Sequence, residues 1–117
     1  MAIPAATKIW AETMDPYDLV DYKIDLSPLL TTGEGINSVV VSVPASSALY
    51  GLTVGSTSRA PVLTGTDLTV WLSIDSAFQA EPKFIKGLTL SIEVTITTDS
   101  TPSRRKQRSV AVKVIQR

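Results

Sequence analysis

The 117-residue chain contains no cysteine and no histidine. Without cysteine there can be no disulfide, no thiolate zinc site and no thiol nucleophile. Without histidine there is no Ser-His-Asp triad, no imidazole metal ligand and no ordinary general base near neutral pH. Net charge is missing too. Eleven acids balance eleven bases, so no global field draws the chain to nucleic acid or to a membrane surface. Aromatic residues make up only 6%, and Trp10, Trp71 and the three tyrosines are scattered. Carbohydrate-binding sandwiches gather several such rings on one face. There is no long hydrophobic run either. The longest uncharged stretch, residues 35–58, is broken by Asn37, Pro44, Gly51, Gly55 and several serines, unlike a membrane span of about 20 mostly apolar residues. The opening MAIPAATKIW lacks the basic flank and apolar core of a secretory signal.

What is present is a β-rich globular composition. Apolar residues make up 44% and charged residues 19%; Ser and Thr supply about a quarter of the chain, and Val plus Ile outnumber Leu. Alternation with a period of two dominates. Val20, Tyr22, Ile24 and Leu26 alternate with Asp21, Lys23 and Asp25. Val39, Val41 and Val43 repeat the pattern, as do Leu68 to Ile74, Leu88 to Ile96 and Val110 to Val114; Leu52 and Val54 mark a shorter run. Turn-formers separate these runs at Asp15-Pro16, Ser27-Pro28, Gly33-Glu34-Gly35, Pro44 to Ser47, Gly65-Thr66-Asp67 and Asp99 to Pro102. About seven short strands predict an all-β fold, a single antiparallel immunoglobulin-like β-sandwich over residues 14–117. The Cys-Trp-Cys pattern of a true immunoglobulin domain is absent, so the architecture alone is implied. Residues 1–13 read as an extended arm or edge strand anchored by Ile9 and Trp10. One helical turn is expected over Ser76 to Glu81, ending before Pro82. Shared parity assigns Val20, Tyr22, Ile24, Leu26, Leu72, Leu90, Ile92, Val94 and Val112 to the core.

Several constellations invite a chemical reading. Asp15, Asp18, Asp21 and Asp25 are spaced like one helix face and could hold a hard cation. Pro16 and the alternation after Leu19 favour a strand instead, with Asp21 and Asp25 in solvent. No calcium loop is present. Gly33-Glu34-Gly35 lacks the Lys-Ser/Thr ending of a phosphate loop and reads as a hairpin turn. Arg104-Arg105-Lys106-Gln107-Arg108 is the basic cluster. No aromatic residues interleave for base stacking, so a protein-facing hairpin is preferred to a nucleic-acid patch. Phe78, Phe84 and Ile85 place three large apolar groups in one irregular segment, which either folds onto the core or docks a partner. Trp71 lies on the off-parity face of its strand. The sequence supplies no catalytic residue, cofactor site or metal site. Its candidate protein interface is Ile9, Trp10, Phe78, Phe84, Ile85, Arg104, Arg105, Lys106 and Arg108.

The run Asp15-Pro16-Tyr17-Asp18-Leu19-Val20-Asp21-Tyr22-Lys23-Ile24-Asp25-Leu26-Ser27-Pro28-Leu29-Leu30 resembles the D-P-x-D-x-x-D-Y-x-I-D-W-S-x-x-L opening of the phage fibre–tail adaptor-like family. The likeness continues through Gly35-Ile36, Val43-Pro44, Gly51 to Val54, Thr69 to Ser73, Ile92 to Thr98 and Arg108 to Val114. Leu26 stands where the family has tryptophan, and Lys106-Gln107 where it has an Asp-Glu pair. The resemblance implies a non-enzymatic virion protein of a tailed bacteriophage, assembled in the host cytoplasm and linking tail or neck to fibres or neighbouring tail proteins. A capsid-surface decoration protein and a carbohydrate-binding module are the alternatives.

Charge is unevenly spread. Residues 1–34 carry net −4 and residues 99–117 net +5, which suggests copies joined head to tail in a homo-oligomer or ring. Neither nucleic acid nor membrane is expected as a partner. Pairing Thr98 with Arg104 would set Ile92 against Val110, but Val94 and Ile96 against Arg108 and Lys106. That register calls for a bulge or for a hairpin end that projects from the sandwich.

Overall fold

The computed structural model describes residues 8–55 and 58–116. The strands are β1 (Lys8–Ile9), β2 (Leu19–Asp25), β3 (Ile36–Ser42), β4 (Leu52–Val54), β5 (Val62–Thr64), β6 (Asp67–Ile74), β7 (Leu88–Thr98) and β8 (Arg105–Val114). Two single-turn helices, α1 (Ala45–Ala48) and α2 (Lys83–Lys86), sit in the connections. One sheet runs β1-β8-β7-β3. In the other, β6 pairs with β2 on one side and with β4 and β5 on the other. Every pair is antiparallel except β1 with β8. The chain is therefore an all-β sandwich whose inner faces share one hydrophobic cluster.

The alternation decides which face each residue takes, because successive strand side chains point to opposite faces. In β6, Leu68, Val70, Leu72 and Ile74 are buried while Asp67 is exposed and Trp71 half-buried. In β7, Leu90, Ile92, Val94 and Ile96 are buried. All nine residues assigned to the core by parity are buried except Val20, which is half-buried because β2 is an edge strand. Each fully buried Leu or Ile contributes about 1.5–3 kcal/mol.

The helical turn expected before Pro82 is present in shorter form, as a 3₁₀ turn over Ser76–Phe78 with the Asp75 carboxylate accepting from Ala77 N at 3.3 Å. Local expectations are corrected in three places. A second turn, α-helical, follows Pro82, since the ring fixes φ at −59° and suits a helix start. Pro44 to Ser47 is not a bare turn; Ala45–Ala48 is helical. The Gly33-Glu34-Gly35 turn joins β2 of one sheet to β3 of the other, so it is an arch and not a hairpin.

The β7–β8 hairpin holds its register over ten pairs, with Val94 opposite Arg108 and Ile96 opposite Lys106. There is no bulge, and neither Val94 nor Ile96 projects: both are fully buried. The conflict is resolved at the edge. Beyond the short β1, strand β8 has no outer neighbour among the described strands, so Arg108 turns aside to solvent. Its Nη1 donates to Gln107 O at 2.8 Å. Leu26, Leu29 and Leu30 of the arch join the core cluster instead.

Of the two readings of the chain's start, the described part forms an edge strand. Lys8 and Ile9 pair with Val110 and Ala111 in parallel, and Met14 bridges Val114. Residues 1–7 of that expected arm lie outside the described residues.

Candidate interaction surfaces

At one end of the sandwich, the arch between β2 and β3 meets the β7–β8 hairpin. Glu34 Oε1 accepts from Thr31 N at 3.1 Å and from Thr31 Oγ1 at 3.2 Å. Oε2 accepts from Ser100 Oγ at 2.7 Å. Arg104 then grips both oxygens, with Nε donating to Oε2 at 3.1 Å and Nη2 to Oε1. The Glu34 side chain is 3% exposed and that of Arg104 37%. Arg104 first, then the Thr31 amide and Ser100, hold the Glu34 carboxyl far below the usual carboxylate range. Glu34 in turn raises Arg104 above the ordinary guanidinium value. A planar fork on a carboxylate fixes direction as well as distance, so this pair fastens arch to hairpin.

A second fastener lies beside it. Gly35 N donates to Asp99 Oδ1 at 2.8 Å and Asp99 N to Gly35 O at 3.0 Å. A Cβ on Gly35 would sit 2.6 Å from Asp99 Oδ2, so any larger residue there must push the Asp99 carboxylate aside. Arg104 therefore belongs to an internal lock and is not a free interface cation. Part of the charge split between the acidic start and basic end is satisfied within the chain.

Along one side, Trp10 closes the gap between the β8 and β2 edges. Its ring stacks on Tyr22 with centroids 4.6 Å apart, and Nε1 donates to Lys23 O at 3.0 Å. Tyr22 Oη donates to Glu12 O at 3.3 Å. Trp10 is thus a packing residue, whereas Ile9 beside it is 54% exposed.

The opposite end carries the connections 43–51 and 75–87. Phe84 is wholly buried, which corrects its reading as an interface residue: its ring fills the core beneath α2, and Ile85, one position on, points outward at 64% exposure. Phe78 packs half-buried against the cluster, so close to Gly51 that a Cβ there would fall 2.7 Å from its ring. Gly51 has φ +83°, so its conformation and its neighbour both call for glycine. Lys83 Nζ donates to Tyr50 Oη at 2.7 Å, and that bond raises the lysine's pKa. Tyr17, Leu19 and Leu49, which parity did not mark, are exposed at this same end.

The remaining basic residues divide by face. Arg105 is exposed on the outer face, Lys106 is half-buried on the inner parity, and Arg108 is exposed at the β8 edge. Trp71 lies under the Arg59 guanidinium, 5.4 Å from its ring centroid. The four aspartates do not converge: Asp15 and Asp18 build the turn before β2, while Asp21 and Asp25 are exposed. Among the described residues, no group of three or more acidic side chains is placed to hold a metal ion.

The fold and its locked end thus define the class: an all-β sandwich in which one cross-sheet arch is tied to one hairpin. The family model described as podophage GP4 fiber-tail adaptor protein gp77 matches residues 14–73, and the chain belongs to that family. The matched span runs from the Met14 bridge to Ser73, the penultimate residue of β6, and so contains the arch with Glu34 and Gly35. No curated protein matches the chain.

Proposed function

We propose that the chain is a non-enzymatic virion protein of a tailed phage, one that joins the tail or neck to fibres or to neighbouring tail proteins. The observation that carries this reading is membership of the fiber-tail adaptor family across residues 14–73. The strand order supports an immunoglobulin-like sandwich: β2-β6-β4 and β3-β7-β8 follow the B-E-D and C-F-G orders, with the first strand moved beside the last. Such a frame presents loops at two ends for other proteins to grip. Tyr17, Leu19, Leu49 and Ile85 make the end opposite the ion pair the apolar docking end. The exposed Arg105 and Arg108 orient a neighbour rather than supply the affinity. Assembly takes place in the host cytoplasm, and copies repeat around the tail.

The test is a phage with this gene disrupted, imaged as assembled particles and complemented by the purified protein. Particles that keep head and tail but lack fibres, and regain them on addition of the protein, support the reading. Fully fibred particles, or density for the protein on the capsid lattice, overturn it.

A further inference from the structure

The edges of the two sheets are not alike. Strand β2 carries Asp21, Lys23 and Asp25, and its Lys23 carbonyl is taken by Trp10. Strand β8 directs Lys106 and Arg108 to its inner parity, and Arg108 caps the Gln107 carbonyl. Strands β1, β4 and β5 have two, three and three residues. Charge, inward-pointing cations, cover and shortness are the devices that stop a foreign strand from adding to a sheet. Strand β3, Ile36-Asn37-Ser38-Val39-Val40-Val41-Ser42, has none of these: no charge, no proline, no glycine. Its one irregularity, between Ile36 and Ser38, lies before the valines.

That edge is open. Thr98 N donates to Arg104 O, and Ser91 N to Ser47 Oγ on the other flank, so odd residues of β7 face β3. Val40, opposite Thr95, therefore bonds toward β7, and the N–H and C=O groups of Val39 and Val41 point outward. Among the described residues no hydrogen bond reaches them. Val40 is 62% exposed on the outer face. The sequence of this edge is also a palindrome: Ser38-Val39-Val40-Val41-Ser42 reads the same in both directions. An antiparallel partner with the same sequence would set Val40 on Val40, Val39 on Val41 and Ser38 on Ser42. All four outward polar groups would then be paired, and the exposed valine covered by its twin.

We propose that β3 is the pairing edge for a second copy of this chain, joined about a twofold axis through Val40. The two β1-β8-β7-β3 sheets then become one sheet of eight strands. The contact is isologous, so it closes at two copies and does not propagate. It is small and belongs to the weak, transient class, so it acts where copies are concentrated, as in an assembling particle.

The absence of cysteine makes the test direct. In the full chain, Val40→Cys places two thiols at a non-hydrogen-bonded pair. Cα atoms there lie about 4.5 Å apart, within disulfide range. In Ser42→Cys the two thiols would be offset by four residues, roughly 13 Å, and could not join. Under mild oxidation, Val40→Cys should form covalent dimer roughly tenfold faster, or more, than Ser42→Cys. Val40→Lys, with its fold verified by circular dichroism, should abolish dimer seen by sedimentation in concentrated wild-type protein. Equal cross-linking of the two cysteine variants overturns the proposal. So does a Val40→Cys cross-link, in assembled particles, to a different polypeptide rather than to a second copy. If Val40→Lys fails to fold, the cysteine pair alone decides.

Discussion

At one end of the sandwich the β2–β3 arch and the β7–β8 hairpin are joined by Glu34, Arg104, Ser100 and Asp99. At the other, the connections 43–51 and 75–87 are held by Phe84 in the core, Phe78 against Gly51, and the Ser47 hydroxyl on the Ser91 amide. The first end depends on ionised groups whose geometry is exacting and whose strength follows pH. The second depends mostly on apolar area, which is indifferent to pH and tolerant of direction. A polar lock fixes one loop pair as a rigid unit. The apolar end buries its largest ring and still leaves Leu49 and Ile85 outside.

Four substitutions sharpen this contrast, ordered by the size of the expected loss. Phe84→Ala removes a completely buried ring from the apolar end and should cost about 3–5 kcal/mol in chemical denaturation. A loss under about 1 kcal/mol would show that α2 is not part of the core.

Glu34→Gln comes next and tests the lock. Its folded-state pKa is depressed below the ordinary value of 4.5, so its contribution is fully present above that value. The contribution fades as pH falls below 4.5 toward the lower folded-state pKa. The variant should melt lower than wild type at neutral pH, and the gap should narrow as the solution is acidified below pH 4.5. A gap independent of pH would mean that the charge on Glu34 is irrelevant to the lock.

Gly35→Ala pushes Asp99 aside and breaks its bond to the Gly35 amide, a loss of about 1 kcal/mol with the rest of the end intact. Stability equal to wild type would show that the Asp99 contact is dispensable. Smallest of all, Arg105→Glu should change folding stability by no more than about 0.5 kcal/mol, since that side chain is exposed on the outer face. A larger loss would make Arg105 part of the lock beside Arg104.

Much of the frame could be read from residue order. The alternation in 20–26, 68–74 and 88–96 assigned inner and outer faces correctly, because a strand offers only two faces and a one-residue slip would exchange them all. The family likeness carried by Asp15 to Leu30 agrees with the match over residues 14–73. Phe84 and Ile85 were inseparable at that level. They are neighbours in a single turn too short for a helical period to reveal which one faces inward. Strand β5 escaped notice because Val62–Thr64 is three residues long and alternates only once.

The sequence by itself determined the longer strands, their inward faces and the exclusion of thiol and imidazole chemistry. These depend on the identity of each residue and on contacts between near neighbours. The tertiary structure decided what depends on residues far apart. Glu34 and Arg104 are 70 positions from each other, and neither announces the other until the arch is laid against the hairpin. Lys106 and Arg108 fall on the inner parity of β8, and their register alone would condemn them. They are tolerated because β8 is an edge there, so long side chains reach water past the rim of the sheet. The openness of β3 likewise follows from its place in the sheet order. The palindrome is local, but only the fold puts it on a rim where its outward amides meet no partner among the described residues.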